Sequence, residues 1–408
     1  MMKFSEFPLS DVLKKNLARN GFTDPTPIQS MTFEPAMAGR DLVATAQTGT
    51  GKTLAFALPL IQILSTEPRR PGVRAVILSP TRELAVQIAQ TIALIAKGTG
   101  VTAATVVGGL NERTQLQAIR KGAAIIVATP GRLTDFLGRN LVDLRGVRML
   151  VLDEADRMLD MGFLPAIQRI TSALPQARQT LLYSATIEAS VKRLVATQVR
   201  DAVRVELGST TKPAEQVALH YYEVEQDRKF DLLQKLLREE EGSFLVFART
   251  KHGADKLAKK LGAAGAKSAA IHGDRSQNQR MQALRGFQDG YYRVLVATDV
   301  AARGIHVDGI AHVVNYDLPQ APEDFIHRVG RTGRAGTTGT ASTFGTPMER
   351  AEVARIERTL SVKLTHRDPA TGEVVENRHV VKMAAPGARP GRAVFRSIGR
   401  RRSVMRAG

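Results

Sequence analysis

Cysteine is absent from the 408 residues, which excludes a disulfide framework, a thiolate metal site and a cysteine nucleophile. Nothing then implies an oxidising compartment, and a cytoplasmic location is expected. Tryptophan is absent too, and aromatic residues make up 5% of the chain. Stacking on aromatic rings is therefore expected to be a minor source of affinity for a partner and ionic contact the main one. No apolar run reaches the length of about 18 residues that a membrane-spanning helix needs. Near the N-terminus Lys3, Glu6, Asp11, Lys14 and Lys15 interrupt the apolar residues, which leaves no signal-peptide core. No membrane partner is expected. His-Glu-x-x-His and Cys/His ligand spacings are also missing, so nothing supports zinc, and histidines such as His252 read as ordinary surface or core residues. No unit of about 20–50 residues recurs three times, which removes a solenoid from consideration.

Positive charge is what the chain has in excess. Lys and Arg number 58 against 39 Asp and Glu, a formal net charge of +19, and such a field attracts polyanions. Nucleic acid is the first partner to expect. With 43% hydrophobic and 24% charged residues the chain is of ordinary globular composition. Its length, at roughly 150 residues per domain, implies two or three domains.

Short, continuous apolar runs recur at 75–78, 124–128, 149–152 and 180–183, each followed by a helical pattern. Runs of this kind read as strands buried on both faces, hence a parallel sheet covered by helices. The alternation begins again with runs at 244–247, 268–271, 294–297 and 312–316, so two α/β domains are expected. The polar stretch 208–215 (GSTTKPAE) contains Pro213 and reads as the linker. The expected division is residues 1–208, a linker at 209–216, a second domain at 217–365 and a tail at 366–408. From 378 to 408 there are nine basic residues and no acidic one, the composition of a disordered basic arm.

The segment 46–53 (AQTGTGKT) follows an apolar stretch and precedes another. It has the strand, loop and helix setting of a phosphate loop, although a Gly-rich turn with a chance Lys-Thr is the bland alternative. Gly49 and Gly51 would let backbone N–H groups face phosphate oxygens, Lys52 would reach the β- and γ-phosphates, and Thr53 would ligate Mg²⁺. The run 149–152 leads straight into Asp153-Glu154-Ala155-Asp156, at the carboxyl end of a strand where ligands of such folds bind. Asp153 is placed to hold Mg²⁺, and Glu154 to orient and deprotonate a water attacking the γ-phosphate. An acidic run is more often a solvated helix start; the strand before it and the phosphate loop upstream favour the functional reading.

Taken with these motifs, the sequence resembles the DEAD-box RNA helicases over nearly all of residues 4–360. Gly21-Phe22 and Pro25-Thr26-Pro27-Ile28-Gln29 match the family's adenine-recognising motif, with Phe4 at its isolated upstream aromatic. Pro80-Thr81-Arg82-Glu83-Leu84, Gly108-Gly109, Thr129-Pro130-Gly131-Arg132 and Ser184-Ala185-Thr186 follow in the family's order. Gln277 and Arg280, Ala297-Thr298-Asp299, Ala302-Arg303-Gly304 and the run 327–334 (HRVGRTGR) complete the set. The wording LDEADRMLDMGF around Asp153 resembles most the bacterial RhlE-like subgroup.

The resemblance implies two RecA-like domains in tandem that close over ATP, Mg²⁺ and one RNA strand, bending it and separating short duplexes locally. It places Phe4, Phe22, Gln29, Ala46, Gln47, Thr48, Gly49, Thr50, Gly51, Lys52 and Thr53 on the nucleotide, and Arg331, Arg334 and His327 at the catalytic centre. Pro80, Thr81, Arg82, Gly108, Gly109, Thr129, Pro130, Gly131, Arg132, Gly273, Gln277, Arg280 and Thr298 are implied to contact RNA. Ser184 and Thr186, with Asp156, are implied to couple the two ligands. On physical grounds alone Gly108-Gly109 is a turn, and Ser184 and Thr186 are a strand end. The amide of Gln29 suits an adenine edge, which presents both a donor and an acceptor. One departure stands out: His306 occupies the place of the family's ribose-contacting Asp, which puts nucleotide affinity in question. The rival readings are an ATP-gated RNA clamp or annealing factor and a DNA translocase of the wider helicase superfamily.

Overall fold

The computed structural model describes residues 3–46, 49–68, 70–207, 216–302, 309–333 and 338–375. The expected linker but for Gln216 lies outside these residues, as do the whole of the basic arm, Gln47, Thr48, Arg303, His306 and Arg334.

The first sheet is built from β1 (Leu42–Thr45), β2 (Ala75–Leu78), β3 (Ala103–Val106), β4 (Ile125–Ala128), β5 (Met149–Leu152), β6 (Gln179–Ser184) and β7 (Val203–Glu206). The second is built from β8 (Val217–Glu223), β9 (Phe244–Phe247), β10 (Ser268–Ile271), β11 (Val294–Ala297), β12 (His312–Asn315), β13 (Gly339–Gly345) and β14 (Thr365–Arg367). Across each sheet the order is β3-β4-β2-β5-β6-β1-β7 and β10-β11-β9-β12-β13-β8-β14. Counted from its own first strand, each sheet has the same order, so the two domains share one topology, and the strand pairs are parallel.

Alternate residues of one strand pack into different cores. Leu42 and Ala44 belong to one layer and Val43 to the other; Leu245 and Phe247 face opposite to Phe244 and Val246. This two-sided burial is why the central strands read as unbroken apolar runs. Every such run expected from the sequence coincides with a strand. The strands that the sequence hid are β3, β7, β8, β13 and β14, which lie at sheet edges or carry Gly, Thr, His and Tyr. β14 pairs with β8 and Arg367 bridges Val374, so the second sheet extends past residue 365, where closure was expected. Among the described residues no helix is long and apolar enough to cross a membrane.

Candidate active site and nucleic-acid interface

The carboxyl edge of the first sheet is divided in two by its strand order. β1, β6 and β5 are neighbours, with Ala44 opposite Tyr183, Thr45 opposite Ser184, and Leu152 opposite Leu182. The phosphate loop, the Ser184-Ala185-Thr186 turn and the Asp153 turn therefore emerge side by side. β2, β4 and β3 form the other half, from which Pro80–Arg82, Thr129–Arg132 and Gly108-Gly109 emerge.

Gly49 and Gly51 adopt φ of +92° and +89°, a region that L side chains rarely enter. A Cβ on Gly51 would also run into the Gln29 amide. Lys52 opens the Lys52–Thr66 helix; its buried Nζ donates to the Ala46 carbonyl at 3.0 Å. Gln29 Oε1 accepts from Thr26 N at 2.8 Å, Gln29 Nε2 donates to Gly51 O at 3.0 Å, and Thr26 Oγ1 donates to Thr50 O at 2.7 Å. The Gln29 amide thus ties its helix to the phosphate loop, leaving one N–H and one lone pair for a base. Phe4, Phe22, Gln29, Gly49, Gly51, Lys52, Thr53, Asp153 and Glu154 line one cavity of about 530 Å³. Phe4 itself is a core residue, edge-on to Phe7 with ring centroids 5.4 Å apart.

Asp153 is 2% exposed, and its Oδ1 has no hydrogen-bond partner. Burial pushes its pKa up to about 7, against the opposing pull of Lys52. An orphaned carboxylate oxygen beside a lysine and the Thr53 hydroxyl suits a hydrated hard cation bound with a phosphate. Glu154 sits in the left-handed region at φ +52°, a strained state for a non-glycine residue, and Arg157 Nη1 holds its carboxylate at 2.9 Å with both side chains buried. Asp156 accepts from the backbone N–H of Ala185 and of Thr186, each at 2.9 Å, and from Thr186 Oγ1 at 3.3 Å, while its own N–H donates to Ser184 Oγ at 3.2 Å. The structure therefore joins Ser184, Thr186 and Asp156 in one network.

On the other half of the edge, Thr81 Oγ1 caps the Arg82–Ile95 helix by accepting from Leu84 N at 3.3 Å. The Arg82 guanidinium lies over Gly108 and Gly109, so close that a Cβ on Gly108 would sit 3.0 Å from Arg82 Nη2. Arg132 follows Pro130 and Gly131 in the Pro130–Gly138 helix after Thr129, and is paired with Asp135 at 2.9 Å and Glu112 at 3.1 Å. In the second domain Gly273 is exposed beyond β10 and Thr298 is half-buried at the end of β11. Gln277 and Arg280, which the resemblance implied to contact RNA, also reach the first domain. Gln277 Nε2 donates to Glu83 Oε1 and Arg280 Nη2 to Glu83 Oε2, both at 2.8 Å, so they clamp the two domains together. Glu83 is 1% exposed, and a carboxylate there must be paired.

The Pro322–Val329 helix brings His327 and Arg328, with Arg331 just beyond it. Arg328 is fully engaged: Nε and Nη2 fork onto Asp299 at 2.6 and 2.7 Å, and Nη1 donates to Asn315 Oδ1 at 3.2 Å and Asp317 O at 2.6 Å. Arg331 is buried and donates from Nε to the His327 carbonyl at 3.2 Å. His327 is held neutral, its pKa lowered to about 4 by burial and by Arg157 of the first domain. Reading from sequence missed Glu83, Arg157, Asp299 and Arg328 as the groups that position the site. All four lie inside the matched motifs, so the signal was a charged residue with no assigned ligand.

Residues 26–194 match the family model for the DEAD/DEAH box helicase and residues 228–336 that for the helicase conserved C-terminal domain. The chain is 41% identical to the DEAD-box ATP-dependent RNA helicase CshA of Bacillus subtilis (strain 168), covering 93% of this chain and 76% of that one. It is 42% identical to the ATP-dependent RNA helicase CshA of Limosilactobacillus reuteri, covering 91% and 75%. S. cerevisiae Dbp5 bound to RNA and ADP BeF3 superposes with a TM-score of 0.81 at 31% identity, over 90% of this chain and 96% of that one. These relatives overturn the RhlE-like assignment: the similarity is to CshA-type helicases. The assignment had rested on the twelve residues around Asp153 alone, whereas these relatives match across more than nine-tenths of the chain.

Proposed function

This chain belongs to the DEAD/DEAH box helicases, and we propose that its ATP-dependent RNA helicase activity divides between the two halves of the first sheet's edge. On the β1-β6-β5 half, Lys52 keeps two further N–H donors for the β- and γ-phosphates while one stays on Ala46. Glu154, fixed by Arg157, takes the proton of the water that attacks the γ-phosphate. Asp153 and Thr53 are the residues that would hold Mg²⁺, which when bound supplies positive charge to the phosphate oxygens. Arg331, brought by the second domain, offsets the charge developing on the transferred phosphoryl group. On the β2-β4-β3 half, Thr81, Arg82, Gly108, Gly109 and Thr129 track the RNA backbone, and such contacts carry no base code.

The observation that carries this reading is the Ser184–Thr186–Asp156 network beside His327. It lies two residues from Glu154 of the nucleotide cavity and is felt electrostatically by His327 of the second domain, which makes it the group through which a change at the phosphates would reach the second domain. The test is ATP hydrolysis with single-stranded RNA, with DNA of the same sequence, and with neither. RNA should stimulate turnover and DNA should not; equal stimulation by both would favour the DNA translocase.

A further inference from the structure

A second cavity, of about 720 Å³, opens where the two domains meet and shares no lining residue with the nucleotide cavity. The first domain contributes Val86 and Leu110. The second contributes one face of the Gln277–Gln288 helix, from Gln277 through Met281 to Arg285, and the Tyr291-Tyr292 pair. Tyr291 is 60% exposed and is the one aromatic among the exposed large hydrophobic side chains of the described residues. Its ring is nevertheless held in place. Lys267 Nζ lies 5.1 Å from its centroid, and Tyr292 meets it edge-on at 4.9 Å. Tyr292 in turn packs on Gly286, where a Cβ would come within 2.7 Å of the ring. Glycine is a poor helix former, and here it seats the tyrosine pair.

The lining includes Arg285 and no carboxylate. The cavity also begins where the glycine pair ends: Leu110 follows Gly109, whose Cβ position would lie 3.6 Å from Gln277 Cβ. An exposed ring, a cation over it and side-chain amides at the wall match a nucleobase and its phosphate better than an acidic peptide, which has no use for the ring.

We propose that this cavity is an auxiliary single-stranded RNA subsite that receives one base of the strand running past Gly108-Gly109 and stacks it on Tyr291. The proposal rests on the reading of that glycine pair as part of the RNA path. Because both domains form the walls, the subsite exists only in the closed arrangement. A strand seated there favours closure, and by reciprocity closure tightens the strand.

The test uses the full chain with oligouridylates of about six and about fifteen nucleotides, within the range of single-strand site sizes, in the presence of a non-hydrolysable ATP analogue or of ADP. With the analogue, Tyr291→Ala should weaken the longer strand by about 5- to 150-fold, the range of one base–aromatic stack, and leave the shorter strand unchanged. With ADP neither should change, and Tyr291→Phe should restore the longer strand's affinity. An unaltered affinity for the longer strand, or an equal loss for both lengths, overturns the subsite. Tyr291-dependent binding of polyglutamate without any RNA effect also overturns it, in favour of an acidic protein partner. If wild-type turnover were not stimulated by either RNA, the helicase reading itself would fall, a result separable from all of these.

Discussion

Replacing Asp153 by asparagine should stabilise the unliganded protein while abolishing ATP turnover. The carboxylate is fully buried, its Oδ1 bonds to nothing, and burial raises its pKa from the ordinary 3.8 to about 7. A group that titrates higher in the folded state binds protons more tightly there. Its contribution is therefore greatest below pH 3.8 and is lost as pH rises towards 7. At about 1.4 kcal/mol per pH unit, that gap bounds the destabilisation at pH 8 at about 4 kcal/mol. Asparagine removes the charge but keeps a polar group in the same place, so about half of this, roughly 2 kcal/mol, should be recovered. For a domain of this size that is a rise of about 4–8 °C in Tm. The assay is thermal unfolding of wild type and Asp153→Asn without nucleotide at pH 8 and pH 5. The variant should be more stable at pH 8, with a smaller advantage at pH 5. An advantage equal at both pH values, or none at pH 8, refutes the claim that the buried charge is the cause.

Glu83→Gln should disrupt the pairing with Arg280 across the domain interface. Breaking a buried pair costs about 3–5 kcal/mol, but here the charges regain water when the domains part, so RNA affinity in the presence of an ATP analogue should fall by roughly 10²-fold while the thermal stability of the free protein barely changes. Equal RNA binding by wild type and variant would contradict the clamp. Glu154→Gln should bind ATP and lose turnover by about 10² or more; near wild-type hydrolysis in a single-turnover assay removes Glu154 as the base. His312 lies in the second domain, stacked on Phe244 at 4.7 Å and bonded to Ser342 Oγ at 2.9 Å, and burial lowers its pKa from 6.5 to about 3. That contribution to stability is present above pH 6.5 and lost as pH falls towards 3, the reverse of Asp153. Urea midpoints of the second domain should drop across that window in wild type and less so in His312→Phe; equal acid sensitivity would point to another group.

The central strands and the phosphate chemistry were legible because each leaves a local mark. Strands buried on both faces must be apolar throughout, as at Met149–Leu152, and Gly49 and Gly51 occur where the backbone has to enter positive φ. The edge strands left no such mark. Thr365–Arg367 is polar in sequence and becomes a strand only because β8 offers an unpaired edge. The same limit applies to Gln277 and Arg280. Motif position implied an RNA contact for both, but that Arg280 also meets the Glu83 carboxylate depends on a partner about 200 positions away in sequence, which spacing does not encode. Gln29 is an intermediate case: its amide was legible as a donor and acceptor, yet the structure directs part of that capacity to Thr26 and Gly51 rather than to a base.

The clamp also explains how grip on RNA and closure can be linked without a dedicated relay. Thr81, Arg82 and Glu83 are consecutive at the start of one helix: Thr81 caps it, Arg82 covers the glycine pair, and Glu83 receives Gln277 and Arg280. The helix N-terminus favours the negative charge of Glu83, so the carboxylate is ready before the second domain arrives. An apolar contact at this place would hold the domains shut, as in obligate interfaces. A paired carboxylate can instead be released to water at modest cost, and its strength in the closed state depends on geometry within a single helical turn. RNA that fixes Arg82 fixes the backbone of Glu83 as well. Strand binding and domain closure thus act on the same three residues, and each strengthens the other through the stiffness of that turn.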